Sequence, residues 1–505
     1  MPTFMNIIRV IFMDKSKELN VKVNFGLKSF ITVVAILVAV LILVGVLTFV
    51  IPAGSFTIYT VDAAKADLPF YEYTTDPSLD KQIVIDSYRE LSDAENTSRL
   101  PVWRWLTAPF EALIIGSSSS NMIMIIALLL VLGGTFKVLE ESGGLVSLVR
   151  VIMVKLHSRR FIAIWVITAV IMLLSAIFGL QEQLLILYPV FAMLCTALNW
   201  TRFTAISFVL IASGVGFTTA ITNPWTIGTA SIAAGVSVTD GLWYRCMIFG
   251  VMYVVTSLFL TRLAKRDEKK AKDKFDLKDF VMVTEEEHKG DIRKAKMIVT
   301  LFSIALLSVV ITTAIASLRS LAMVFMAAAF IVGTVIIGKL LLGTYRHLGA
   351  SFLKGVKDVL PSIVIIMIAF GITHIAQRGN ILHTIFHYFY NSVTNISPYL
   401  AVVLLYVFVL IIEFFIPSAS AKAVLIIPML TLAPIEGISK TVIILTYLFA
   451  DGYTNVLYPT CGTLLVGLGL ADVSFATWFK RTIPFQLILF AFSLAFLVLA
   501  IFIGL

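Results

Sequence analysis

Two apolar stretches of this 505-residue chain are interrupted by hydroxyl and amide side chains. "GFTTAITNPWTIGTASIAAG" runs over 216–235, and "LFADGYTNVLYPTCGTLLVG" over 448–467. Each holds glycines, a proline and a Thr-Asn pair: Thr222–Asn223 in the first, Thr454–Asn455 in the second. A helix interrupted there leaves amide and carbonyl groups without helical partners. Carbonyls at a C-terminal half-helix end suit Na⁺, and amides at an N-terminal end suit carboxylates. Threonine and asparagine add neutral ligands that bind without trapping. Thr222, Asn223, Thr226 and Thr229 are the candidates of the first break; Thr454, Asn455, Thr460 and Thr463 are those of the second. Patching helix hydrogen bonds is the plainer role for any single hydroxyl. It explains less well two Thr-Asn pairs placed alike beside prolines.

Two polar tips add charge. "GLQEQ" (179–183) supplies Gln181, Glu182 and Gln183, and "IPSASAK" (416–422) supplies Ser418, Ser420 and Lys422. Glu413 lies just before the second tip and Asp451 just before the second break. An ionisable group at membrane depth is expensive and reads as functional. Three acids against one lysine favour a cation: Na⁺, H⁺, or the ammonium or guanidinium of a substrate. Lys422 either neutralises an acid or meets a substrate carboxylate. Ion ligation falls to Glu182, Asn223, Thr229, Glu413, Asp451, Asn455 and Thr463; the remaining residues of the two breaks and the two tips, together with Glu182, Asn223, Asp451 and Asn455, would hold substrate. His383 and His387 have a metal spacing but no third ligand, so they read as interfacial, and no metal beyond Na⁺ is expected. Lys137 and His374 sit near crossing ends, and Trp243 and Trp478 read as interface anchors.

The surrounding chain must bury these groups in a bilayer. It is 59% hydrophobic and 14% charged, well below the roughly 25% charge of soluble chains. Successive apolar runs of about twenty residues can each cross a membrane. The class is an all-α polytopic membrane protein. The net charge of +9 reflects cytoplasmic loops rather than a nucleic-acid partner. Cys195, Cys246 and Cys461 stand singly, so no disulfide framework follows. No Walker motif, metal cluster or nucleophile motif points to an ATP-driven pump or an enzyme, and no cofactor is expected beyond a coupling Na⁺ or H⁺.

The tail 1–29 precedes a first crossing that is too long for a signal peptide. Scaffold crossings of a first half occupy 30–138, with an extracytoplasmic segment, 57–99, of nine acidic and four basic residues. This segment is a small cap or a disordered loop. A transport region, 161–240, holds a re-entrant hairpin (161–198), with arms short for a crossing, and a broken helix (203–235). A charged linker, 264–296, leads to scaffold crossings at 297–376. A second transport region, 400–471, holds a hairpin (400–432) and a broken helix (442–469), and 485–503 is the last crossing. Basic loops place the N-terminus and the linker on the cytoplasmic side of the membrane. The total is nine crossings plus two hairpins.

The same order of segments occurs twice. "GTFKVLEESG" (134–143) matches "GITHIAQRGN" (371–380), so Lys137 pairs with His374. "QLLILYPVFAML" matches "KAVLIIPMLTLA", with Pro189 on Pro428. Thr222-Asn223 aligns with Thr454-Asn455, and Trp243 and Arg245 align with Trp478 and Lys480. Loop charge puts the two hairpins on opposite sides, so the repeats are inverted. That is the plan of many alternating-access carriers. An ion channel is the alternative of another class, separated by its lack of saturation and counterflow.

"LLSAIFGLQEQLLILYPVF", "ITNPWTIGTA", "IPSASAKAVLIIPML" and "DGYTNVLYPT" resemble the YfcC-type branch of the C4-dicarboxylate anaerobic carrier (DcuC-like) family, which is similar to bacterial arginine–ornithine exchangers and falls in the wider ion-transporter superfamily. The resemblance runs from "VIPAGSF" (50–56) to the C-terminus. It implies a homodimer of scaffold and transport domains, and a transport domain that moves like an elevator. It implies a site at Gln181–Gln183, Thr222–Thr226, Ser418–Lys422 and Thr454–Thr460. The Ser-Asn-Thr tips of dicarboxylate carriers are replaced here by "GLQEQ" and "PSASAK". The expected function is therefore secondary transport of a small polar metabolite, with an amino acid of the arginine or ornithine type preferred. A di- or tricarboxylate moved with Na⁺ or H⁺ is the competing substrate.

Overall fold

The computed structural model describes residues 27–60, 71–75, 83–92, 94–115, 119–156, 159–270, 285–315, 318, 321–393, 396–416, 419–432 and 436–505. Most of the expected N-terminal tail and the middle of the charged linker lie outside these residues. Helix α1 (Leu27–Val50) leads into three strands, β1 (Gly54–Thr60), β2 (Tyr71–Tyr73) and β3 (Ile83–Glu90). They form a sheet of order β2-β1-β3, with β1 parallel to β2 and antiparallel to β3. The segment after the first crossing therefore includes a small folded cap.

The first half continues with α2 (Ala108–Ile115), α3 (Ser119–Glu141), α4 (Gly144–Leu156), α5 (Arg160–Phe178), α6 (Tyr188–Ala197), α7 (Arg202–Thr218), α8 (Thr229–Ala234) and α9 (Leu242–Lys270). The second half holds α10 (Glu285–Ala314), α11 (Ala322–Leu342), α12 (Tyr345–Arg378), α13 (Ile381–Val393), α14 (Pro398–Phe415), α15 (Ala419–Leu432), α16 (Lys440–Thr454), α17 (Gly462–Leu470) and α18 (Phe475–Phe502). Among the described residues, 8 helices are long and apolar enough to cross a membrane. This is a multi-pass membrane protein. Helix α5 has the length of a full crossing at 19 residues, whereas its return arm α6 has 10.

Local chemistry sets the helix ends. Thr201, Thr344, Ser397, Ser439 and Ser474 each accept a backbone N–H from the first turn of α7, α12, α14, α16 and α18. Each hydroxyl satisfies one amide that the helix cannot. Gly179 ends α5 at φ 69°, a left-handed conformation that glycine adopts without strain.

The helix ends gather on two faces. On the face carrying the sheet, Gly54 N donates to Asn380 O at 3.0 Å, Lys440 Nζ to Ala234 O at 2.9 Å, and Ser439 Oγ to Leu505 O at 2.6 Å. The arms of the hairpin α14–α15 open on this face, where α15 packs against β3. On the opposite face, Arg160 meets Glu268 at 2.7 Å, Thr201 meets Asp267 at 2.6 Å, and Arg150 meets Asp291 at 2.5 Å. The arms of α5–α6 open there, with the Phe161 and Trp200 rings stacked at 6.5 Å. The two hairpins thus enter from opposite faces, and the two halves are inverted repeats. The broken helices α7–α8 and α16–α17 meet between them. Gly452 of α16 lies directly on the Thr218 backbone, where a Cβ would collide with main-chain atoms.

Candidate functional site

The first break is latched to the first hairpin. Ala176 O, near the end of α5, accepts the amides of Ile221 at 2.8 Å and of Thr222 and Asn223 at 3.1 Å each. Thr222 Oγ1 donates to Ile177 O at 3.2 Å, and Thr229 Oγ1 to Pro224 O at 3.1 Å. Asn223 Oδ1 accepts Trp225 N at 2.9 Å. Arg245, buried at 2% exposure, donates to Asp240 O at 2.7 Å, to Ile221 O at 3.2 Å and to Val238 O. Most free polar groups of this break are consumed internally. Asn223 Nδ2 and Thr226 Oγ1 remain buried without a partner.

The second break behaves differently. Asn455 Nδ2 reaches across to Gln181 Oε1 at 3.0 Å, and Cys461 Sγ donates to Asn455 Oδ1 at 3.6 Å. Beside this bridge is a cavity of about 200 Å³. The tip Gln181–Gln183, the stretch from Asn455 to Thr463, and helices α3 and α12 form its walls. Gln181 N donates to Gln183 Oε1 at 3.2 Å, which folds the tip on itself. Gln181 Nε2 and Thr460 Oγ1 are buried without partners. Glu182 is the one acidic or basic side chain among the described residues lining the cavity, and it faces the Thr463 hydroxyl. Cys461, Gly462 and Thr463, at the amide end of α17, line the same space.

Behind the cavity lies a buried charge cluster. Lys422 Nζ donates to Glu413 Oε2 and, at 2.6 Å, to Asp451 Oδ1. All three side chains are at most 1% exposed. Lys422 sits in the first turn of α15 and Asp451 in the last turn of α16. Each charge opposes its own helix dipole, so their pairing offsets both penalties. Thr454 Oγ1 donates to Glu413 Oε2 at 3.3 Å. Glu413 Oε1 and Asp451 Oδ2 have no partner. Two carboxylates and one ammonium leave a formal charge of about −1 in a site that solvates charge poorly.

The expected site residues therefore separate into three groups. Gln181, Glu182, Gln183, Asn455, Thr460 and Thr463 line the cavity. Glu413, Lys422, Asp451 and Thr454 form the cluster behind it. Thr222, Asn223, Thr226 and Thr229 belong to the first break and do not line the cavity. Ser418 and the side chain of Ser420 lie outside the described residues.

Trp478 corrects the sequence reading. Trp243 is 62% exposed, as an interface anchor should be, but Trp478 is fully buried. Its Nε1 donates to Val456 O at 2.9 Å, and Gln486 Nε2 reaches the same carbonyl at 3.3 Å. Trp478 thus satisfies the second break as Arg245 satisfies the first. The repeat aligned Arg245 with Lys480, so the equivalent work moved to a different side chain. Gln486 carried no repeat signal. His383 Nδ1 accepts Phe56 N at 3.3 Å, and His387 stacks on Tyr88 at 3.9 Å, so both histidines hold the sheet to α13. Lys137 pairs with Glu140 at 3.1 Å, and His374 is buried 3.8 Å from Glu111.

Two inverted hairpins, two broken helices and a mainly apolar cavity with a few polar groups now stand beside the match to a known family. The family described as DcuC, C4-dicarboxylate anaerobic carrier, matches residues 30–502. The chain belongs to this family. A relative from Escherichia coli strain K12, named "Putative basic amino acid antiporter YfcC", is 23% identical over 473 residues, covering 87% of this chain and 90% of the relative. A Haemophilus influenzae protein, described as uncharacterized, is 23% identical over 508 residues, covering 94% and 96%. The crystal structure of the Alcanivorax borkumensis YdaH transporter, noted for an unusual topology, aligns at a TM-score of 0.42 and 16% identity, covering 94% of this chain and 99% of that one. This member of the carrier family is a membrane transporter.

Proposed function

We propose that this carrier is a secondary active transporter of a basic amino acid of the arginine or ornithine type. It works by exchange or by Na⁺- or H⁺-coupled alternating access. One observation carries the reading: Glu182 is the cavity's one acidic or basic side chain among the described lining residues, while Lys422 is bonded to two acids behind it. Glu182 would meet the substrate's side-chain cation. The amide end of α17 would meet its carboxylate. The Asn455–Gln181 bridge would order both walls. The name borne by the Escherichia coli relative supports the same substrate class.

The cluster of Glu413, Lys422 and Asp451 is the proposed coupling site. Its surplus negative charge calls for one more cation, H⁺ or Na⁺, at the unpartnered carboxylate oxygens. Thr454, which donates to Glu413, adjoins Asn455, which bridges to Gln181 at the cavity. Filling one site therefore alters the other. The cavity lies between the hairpin tip and the helices α3 and α12. This placement supports an elevator-like movement of tip and breaks past a scaffold. The proposed setting is a homodimer in the bacterial cytoplasmic membrane with its N-terminus inside.

A di- or tricarboxylate is the second reading, favoured by the family's description. It requires Lys422 to leave its acids. Uptake into proteoliposomes preloaded with candidate substrates decides between them. Labelled arginine, ornithine and neutral amino acids are compared with malate and citrate while ion and pH gradients are varied separately. Saturable arginine or ornithine exchange is expected. Na⁺-dependent malate flux without such exchange overturns the proposal.

A further inference from the structure

A second cavity, of about 270 Å³, lies beside the first. The two share Leu129, Leu132 and Leu185. These side chains are 7%, 5% and 4% exposed, so a single apolar layer separates the chambers. The far end of the second cavity is charged, with Lys137, Glu140, Lys354 and Asp358 in its wall. Lys354 is 61% exposed at the rim and pairs with Glu141 at 3.1 Å, on the face opposite the sheet. The second cavity is therefore a wet mouth at one end and an apolar seal at the other.

The seal joins two separate parts of the fold. Leu129 and Leu132 belong to α3, and Leu185 to the 3-10 turn Gln183–Leu187 directly after the tip. No hydrogen bond ties leucine side chains together. A small shift of the hairpin against α3 would part them without breaking a polar contact. The mixed charges of the mouth suit a zwitterion carrying an extra cation, since both signs are offered and neither dominates.

We propose that the second cavity is the vestibule through which substrate passes between the central cavity and the face opposite the sheet, and that Leu129, Leu132 and Leu185 form its closed gate. This assignment rests on the transport reading above but not on the identity of the substrate. Removing a gate leucine opens the layer, because cavities left by Leu→Ala in packed surroundings collapse only in part.

Cys461 is a native reporter: it lines the central cavity and is 7% exposed. Cys246→Ser removes the exposed thiol, and Cys195, 1% exposed, lines neither cavity. A cationic, membrane-impermeant methanethiosulfonate is applied to right-side-out and everted vesicles, and Cys461 modification is read by mass spectrometry. L132A and L185A should each speed modification about tenfold or more, from the vestibule face alone. L128A, a change in the central cavity that leaves the shared layer intact, should not. Because Leu132 and Leu185 sit on different elements, one variant suffices if the other fails to fold, as a melting curve shows. An unchanged rate in the folded gate variants, acceleration only from the sheet face, or equal acceleration by L128A overturns the gate. Substrate uptake plays no part in this readout, so the gate stands or falls separately from the substrate class.

Discussion

Asn455 and Asn223 occupy equivalent positions in the two repeats, yet Asn455 bridges to Gln181 at 3.0 Å while Asn223 caps the amide of Trp225 at 2.9 Å. One residue type at one repeat position thus serves as a wall of the cavity in one half and as a helix cap in the other. The inversion places the breaks in unlike surroundings, and the surroundings decide the partner.

This difference separates two substitutions. N455A leaves Gln181 Oε1 unpaired at the cavity and should raise the substrate KM about 5- to 150-fold, the effect of losing ~1–3 kcal/mol. N223A should lower stability by ~0.5–2 kcal/mol through loss of a cap and change KM less. Transport kinetics in proteoliposomes and thermal melting in detergent, run on both variants, check the split. Equal KM effects would count against the cavity assignment.

Lys422 holds two buried carboxylates together. K422M should destabilise the carrier by ~3–5 kcal/mol, because it strands uncompensated charge. The triple variant E413Q/K422M/D451N has no charge to strand and should recover most of that stability. It should not recover ion-gradient-driven transport. Unfolding curves measure the first effect, and flux under an imposed pH or Na⁺ gradient measures the second.

Trp478 and Gln486 share the Val456 carbonyl. W478F removes the stronger donor while keeping an aromatic ring, and should cost ~1–2 kcal/mol. The double variant W478F/Q486L leaves that carbonyl unsatisfied and should cost more than the sum of the two single changes. A double-mutant cycle on melting temperature is the measurement.

The cap of the sheet carries a pH dependence. Burial pushes the His383 imidazole down to about 4 from the usual 6.5, and its Nδ1 accepts the Phe56 amide. The neutral ring is the folded form, and the unfolded segment takes up a proton first. Stability at this contact is therefore complete above about 6.5 and is lost as pH falls toward about 4. Hydrogen exchange at Phe56, corrected for its intrinsic pH dependence, should accelerate across that window. H383Q should flatten the profile.

Much of this protein was legible in residue order alone. Apolar run length determined the membrane class, because backbone groups in lipid must be satisfied within each helix. The repeated order of hairpin and broken helix determined the inverted plan, since loop charge assigns opposite sides to equivalent segments. Polar residues in apolar sequence marked Gln181, Glu182, Asn455 and Thr460, which meet at one cavity. Sequence also left Lys422 with two fates, an internal pair or a substrate carboxylate. Only the packing of α14 and α15 against α16 chose between them, because ion pairing depends on distance in three dimensions. The same holds for Trp478. A tryptophan near a helix end reads as an interface anchor, and its burial on Val456 O follows from how α18 lies over the second break. The gate leucines carried no signal at all. Leu129, Leu132 and Leu185 are ordinary apolar residues in sequence, and their place between two cavities exists only where α3 meets the hairpin turn.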